Sequence, residues 1–150
     1  MANGSNRDLD GLLVISLEQA VAAPYAASRL ADAGARVIKV ERPEGDFARG
    51  YDADANGYSS YFVWLNRGKE SVALDLKQPD DLQIFNQMLS KADVFIQNLM
   101  PGALDRLGVS MADLRQDDPR LITCDISGYG ASGPFAQMKA YDFLVQAEVG

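Results

Sequence analysis

The chain has 150 residues, 47% of them hydrophobic, which is enough for one globular domain with a core and too apolar for a disordered segment. Its 14 basic and 21 acidic residues leave a formal charge of −7, which argues against nucleic acid or an anionic membrane surface as the main partner but leaves room for a small anion held by local cations. There is no histidine and a single cysteine, Cys124, so these residues hold no histidine triad, no histidine metal ligand, no internal disulfide and no paired-cysteine zinc site; no metal is expected.

The polar start, MANGSNRDLDG, lacks the apolar core of a signal peptide. No apolar run reaches the roughly 18 residues of a membrane span, so a cytoplasmic location is expected. Strands and helices then alternate. LLVIS, 12–16, reads as a buried strand. Pro24 suits the first turn of a helix that runs to Gly34, a good residue just past a helix end. RVIKVE, 36–41, is the next strand, and YSSYFVWLN, 58–66, a short helix. SVALDL, 71–76, alternates as a strand. Pro79 and the acidic residues after it suit the start of a helix with apolar residues at helical spacing over 79–92. DVFIQN, 93–98, is a strand, followed by a short helical phrase that carries Arg106. Ser110 with Asp113 three residues on resembles a capping box. LITCDIS, 121–127, is the last strand, with Cys124 as a small hydrophobe in it. YDFLVQAEVG reads as an amphipathic helix at 141–150, an unusual place for a domain to stop, and the expectation is that the chain continues.

This alternation predicts an α/β fold, a Rossmann-like doubly wound parallel sheet with crossover helices on its faces. Ligands of such sheets bind beyond the carboxyl ends of the strands, so those ends carry the functional signal. After 12–16, LEQAVAAP has none of the glycines of a dinucleotide fingerprint; Ala20, Val21 and Ala22 either line a narrow apolar slot or simply lead into a helix packed on the sheet. After 36–41, Glu41 is placed to hold a ribose hydroxyl and Arg42 to meet a phosphate, but the missing glycines upstream argue against NAD. The motif G-x-G-x-x-G occurs only at 128–133, where Pro134 follows at once, and it reads as a flexible loop. The strand at 93–98 ends abruptly in Asn98, Leu99 and a Met-Pro-Gly turn, as if something polar bound there. Lys77, Arg106 and Lys139 follow other strands; together with Arg42 they are either solvated surface charges or a cradle for a phosphate-bearing anion.

Taken in order, L-D-G near the start, the proline that opens the first helix, DAGARVIKVERPEGD, LNRGKESVALDLK, ADVFIQNLMPGALDRLG, ISGYGASGP and YDFLVQAEVG form a series. It resembles the family III CoA-transferases, the CaiB/BaiF family, over nearly the whole chain. The resemblance implies the N-terminal part of a Rossmann-like large domain, with the rest of that domain and a small domain lying beyond this chain. It also implies an interlocked homodimer. Acyl-CoA and a small carboxylic acid would be the substrates, with no permanently bound cofactor and no part for nucleic acid or membrane. Carried over residue by residue, it places Ala20, Val21 and Ala22 at the pantetheine end of coenzyme A, with Asn98 and Leu99 bordering its arm. Arg42, Leu74, Lys77, Arg106 and Lys139 fall around its adenine and phosphates, and Tyr141 and Asp142 in the substrate pocket. The nucleophile would be an aspartate downstream of Gly150, which forms an anhydride and then a thioester with coenzyme A. The racemases of the family carry a histidine where this chain has Tyr141, and tyrosine, titrating near 10, is a poor base at neutral pH; this favours transferase over racemase. A nucleotide-binding module without chemistry is the reading from another class.

Overall fold

The structure is a computed structural model and describes residues 7–150. Five strands, β1 (Leu13–Leu17), β2 (Arg36–Glu41), β3 (Glu70–Ala73), β4 (Val94–Gln97) and β5 (Ile122–Asp125), form one parallel sheet in the order β3-β2-β1-β4-β5. The helices are α1 (Ala22–Asp32), α2 (Ser60–Asn66), α3 (Pro79–Leu89), α4 (Ala103–Arg106), α5 (Met111–Asp117) and α6 (Asp142–Val149). The chain builds outward from β1 to β2 and β3, then returns to the other side of β1 for β4 and β5. That reversal makes the gap between β1 and β4 the topological switch point.

The two-residue period of the strands divides the core into two layers. Ile15, Leu17, Val40 and Phe95 face α3 and pack with Phe85, Leu89, Leu104 and Leu121. Val14, Val37 and Ile96 face α1 and meet Ala23, Ala27 and Ala31, small residues one turn apart that let the helix lie close to the sheet. Cys124 packs, half-buried, at the margin of this second layer, as its apolar surroundings in the sequence imply.

The end signals at Ser110 and Gly34 are realised, and a serine not singled out in the sequence, Ser59, acts in the same way. Ser59 and Ser110 accept hydrogen bonds from the amides of Phe62 and Asp113 and so cap α2 and α5. Gly34 follows α1 at φ 113°, and a side chain there would run into Asp10 and Arg7.

The strand expected over 71–76 is shorter than that and ends at Ala73. Among the described residues its one strand partner is β2, which stops at Glu41 before Pro43; the final bond is from the Leu74 amide to the Glu41 carbonyl, at 2.8 Å. Leu74 and Leu76 nevertheless stay buried, as their alternation predicts. The strand expected over 121–127 is trimmed in the same way, its last bond running from Ile126 to the Gln97 carbonyl. Of the G-x-G-x-x-G loop, Gly128 sits where a Cβ would collide with Ala140. Close chain approach, not a phosphate, accounts for that glycine. In α6, Phe143 is 80% exposed and Leu144 half exposed.

Candidate functional site

Beneath the strand ends on the α1 side lies a set of buried charges. β1 and β2 run in parallel register with Ser16 beside Lys39, so Ser16 and Glu18 share a face with Lys39 and Glu41. Lys39 Nζ lies 2.8 Å from Asp46 Oδ2 and 3.5 Å from Glu18 Oε1. Lys69 Nζ binds the same Glu18 oxygen, the Pro24 carbonyl at 2.9 Å and Asn66 Oδ1 at 3.1 Å. Glu41 takes two hydrogen bonds from the Arg49 guanidinium, at 2.7 and 2.9 Å, one from Ser71 Oγ and one from the Asp46 amide. Three carboxylates face three cations, so the set is neutral, and every buried side-chain polar atom among the described residues has a partner.

Burial alone would raise the Glu41 carboxyl; Arg49, Ser71 and the Asp46 amide outweigh it and bring it from 4.5 to about 2. Burial pushes the Lys69 ammonium down, against the pull of Glu18. These contacts rule out the ribose reading of Glu41, whose oxygens are committed to the protein. The sequence carried a faint signal of all this: one lysine inside the apolar run VIKV.

A cleft of about 190 Å³ opens at the carboxyl ends of β1, β2 and β3, with Glu18, Glu41 and Asp46 of that charge set in its lining. Its apolar walls are Leu17, Val40, Leu74, Leu76, Leu99 and Leu107. Arg42 and Lys77 are exposed and supply its cations, and Arg42 Nε donates to the Gly45 carbonyl at 2.9 Å. A larger hollow of about 590 Å³ lies by the opposite ends of β4 and β5, among Leu89, Ser110, Asp113 and Asp118. It offers no comparable pairing of apolar wall and free cation, since Arg120 in its lining is bound to Asp118.

Between the ends of β1 and β4, Asn98 Oδ1 accepts from the Gln19 amide and Asn98 Nδ2 donates to the Gln19 carbonyl, both at 2.9 Å. The next residue, Ala20, has φ 60°, and its amide donates to Asp46 Oδ1 at 3.2 Å. Gln97 is equally occupied: its Nε2 donates to Asp125 Oδ1 and its Oε1 accepts from the Leu99 amide.

A row of half-exposed aromatic rings leads away from the cleft. Phe47, in the cleft lining, meets Tyr51, then Tyr61, Trp64 and Tyr25, with successive ring centres 5.8, 6.1, 6.1 and 6.0 Å apart. Burial raises the Tyr51 phenol, and Asp46 and Tyr141 add to the shift.

Of the residues singled out in the sequence, Arg42, Leu74, Lys77 and Leu99 come together in the cleft. Ala20 follows directly on Gln19 at its edge. Val21 and Ala22 are exposed where α1 begins and do not line the cleft. Asn98, expected to border a ligand arm, has its Oδ1 and one Nδ2 hydrogen engaged by the Gln19 backbone. The expected convergence of four cations is also not reproduced: Arg106, exposed at the end of α4, lies by Gly102, and Lys139 is exposed before α6; neither lines the cleft. Tyr141 occupies the N-cap position of α6, 61% exposed. Asp142 is the first residue of that helix, not its cap, and its side chain lies outside the described residues. No group of three or more His, Cys, Asp or Glu residues placed to hold a metal ion occurs among the described residues.

The family model for CoA-transferase family III matches residues 9–150. The chain is 46% identical over 142 residues to the acetyl-CoA:oxalate CoA-transferase of Acetobacter aceti, covering 94% of this chain and 36% of that protein. It is 37% identical over 148 residues to the succinyl-CoA:glutarate CoA-transferase of Mus musculus, covering 97% and 34%. A crystal structure of a CAIB/BAIF family protein from Brucella suis superimposes with a TM-score of 0.89 at 38% identity, over 95% of this chain and 39% of that one. The chain thus spans about a third of the length of the curated relatives it matches.

Proposed function

The chain belongs to CoA-transferase family III, and from that premise we propose that it forms the coenzyme A-binding part of an enzyme that moves coenzyme A between an acyl-CoA thioester and a carboxylic acid. The observation that carries the reading is the cleft at the strand ends. Leucines and Val40 form its walls and Arg42 and Lys77 supply its cations. Coenzyme A is a molecule of the same two parts, a mostly apolar arm and a phosphate-rich end. Cations that meet phosphate through charge-assisted bonds suit that end, and the leucine walls suit the arm.

In the proposed cycle an enzyme carboxylate attacks the thioester carbonyl and expels coenzyme A thiolate, leaving an acyl anhydride. The thiolate then attacks the enzyme carbonyl and releases the acyl group as a carboxylate. The acceptor acid reverses both steps. The nucleophilic aspartate is assigned downstream of Gly150, and the described residues bind and orient. Tyr141 and Asp142 belong to the acid pocket of this proposal, with no resident cofactor or metal. No helix of the described residues is long and apolar enough to cross a membrane; an interlocked homodimer in the cytoplasm completes the reading.

The test is calorimetric titration with coenzyme A, followed by thioester exchange between acetyl-CoA and a panel of mono- and dicarboxylic acids. Saturable binding that weakens with salt is expected. An absence of binding sinks the proposal, and rapid α-deuterium wash-in without exchange moves the chain to the racemase branch.

A further inference from the structure

The switch point is where a doubly wound sheet ordinarily opens a crevice for its ligand. Here that crevice is sutured. A carboxamide has one acceptor oxygen and one donor nitrogen, and a backbone residue presents the complementary pair. Asn98, the residue after β4, meets Gln19, two residues after β1, through both. We infer that Asn98 is a positioning residue, which fixes the end of β1 to the end of β4 and thereby sets the spacing between the two walls of the cleft.

Three observations converge on it. First, part of the cleft lining comes from the two sutured segments, the rest from β2, β3 and the residues that follow them. Leu17, Glu18 and Gln19 lead into the clamp from one side, and Leu99 and Leu107 follow Asn98 on the other. Second, the residue after Gln19 is Ala20, a non-glycine at φ 60°, a conformation that persists where the surroundings over-determine it. Asn98 holds the residue before it and Asp46 holds its amide. Third, Gln97 ties the Leu99 amide down, so the chain on both sides of Asn98 is anchored. Cutting the suture frees one wall relative to the other without removing any group that lines the cleft.

The test uses the full chain as wild type, Asn98→Ala and Asn98→Asp. The first readout is ligand-free amide exchange at Gln19 by NMR, as a protection factor relative to the Ile15 amide inside β1. Asn98→Ala, which removes both partners, should lose about tenfold or more of Gln19 protection at neutral pH, and Asn98→Asp, which keeps the acceptor for the Gln19 amide but sets lone pairs against the Gln19 carbonyl, a smaller part of it, with Ile15 little changed. In Asn98→Asp, protection should return as the carboxyl protonates. A neutral carboxyl again has one acceptor and one O–H donor, whereas the ionised form faces the Gln19 carbonyl with lone pairs only. Asn98→Ala should show no such recovery. The second readout, coenzyme A affinity, rests on the coenzyme A reading: Asn98→Asp should bind about tenfold more weakly at neutral pH and approach the wild type in acid. Unchanged Gln19 protection in both variants overturns the inference. So does an equal loss at Gln19 and Ile15, which reduces Asn98 to general fold stability. Failure of the wild type to bind coenzyme A overturns the functional proposal, and the exchange data still decide the clamp.

Discussion

Asp46 and Lys39 meet 2.8 Å apart at a point where neither side chain touches water. The pair joins the loop after β2 to the middle of β2 itself. The same carboxylate accepts from the amides of Ala20 and Ala48, so one side chain organises both the β1 turn and the 3-10 turn at Phe47–Gly50. Removing one member of a buried pair leaves the other charged and unpaired. Lys39→Met should therefore cost ~3–5 kcal/mol of unfolding free energy in urea titration. A loss under about 1 kcal/mol, the range of exposed pairs, would mean that water already reaches Asp46.

Glu41 gives the fold an acid dependence of known sign. Its carboxyl sits at about 2 in the folded chain against 4.5 ordinarily, so the unfolded chain takes up the proton first as pH falls. The stabilisation is full above pH 4.5 and is lost as pH drops through about 2. Glu41→Gln should fall less steeply in unfolding free energy across that window than the wild type. Parallel acid limbs in the two proteins contradict this.

Phe95 is fully buried and meets Phe85 edge-on, with ring centres 5.8 Å apart, in the layer facing α3. Phe95→Ala should cost ~3–5 kcal/mol through lost transfer energy and the cavity left behind. Phe143→Ala, at a residue 80% exposed, should stay within about 0.5 kcal/mol of the wild type. Chemical denaturation of both variants checks the contrast; similar losses would show that α6 packs in solution.

The two cations of the cleft should act on affinity. Arg42→Ala and Lys77→Ala are each expected to weaken coenzyme A binding by about tenfold, in line with a charge-assisted bond worth ~1.5–3 kcal/mol before screening. The salt dependence of binding should flatten in both variants. Full affinity in both would place the phosphates elsewhere.

Much of this was legible in the sequence. Short apolar runs such as LLVIS and DVFI reported buried strands, and Ser110 marked the start of α5. Strand ends were less legible because an edge strand runs only as far as its neighbour: β3 stops where β2 meets Pro43, which VALDL does not announce. The cleft residues Arg42, Leu74, Lys77 and Leu99 follow strand ends in the chain and so could be found. The partners of the buried polar groups could not. Lys39 needs the parallel register of β1 and β2 to reach Glu18, and Asn98 meets a residue 79 positions earlier in the chain.

The row of aromatic rings gives the molecule an optical handle. Trp64 is the sole tryptophan and half exposed, and Tyr61 and Tyr25 lie 6.1 and 6.0 Å from it, ring centre to ring centre. At that separation, light absorbed by the tyrosines is handed to the indole and leaves as its emission. Anything that covers the outer face of α2 dries the indole directly and shifts its colour to the blue. An occupant confined to the cleft touches the row only at Phe47, three rings away. One fluorescence spectrum, recorded without any label, therefore distinguishes a molecule entering the cleft from a protein surface closing over α2.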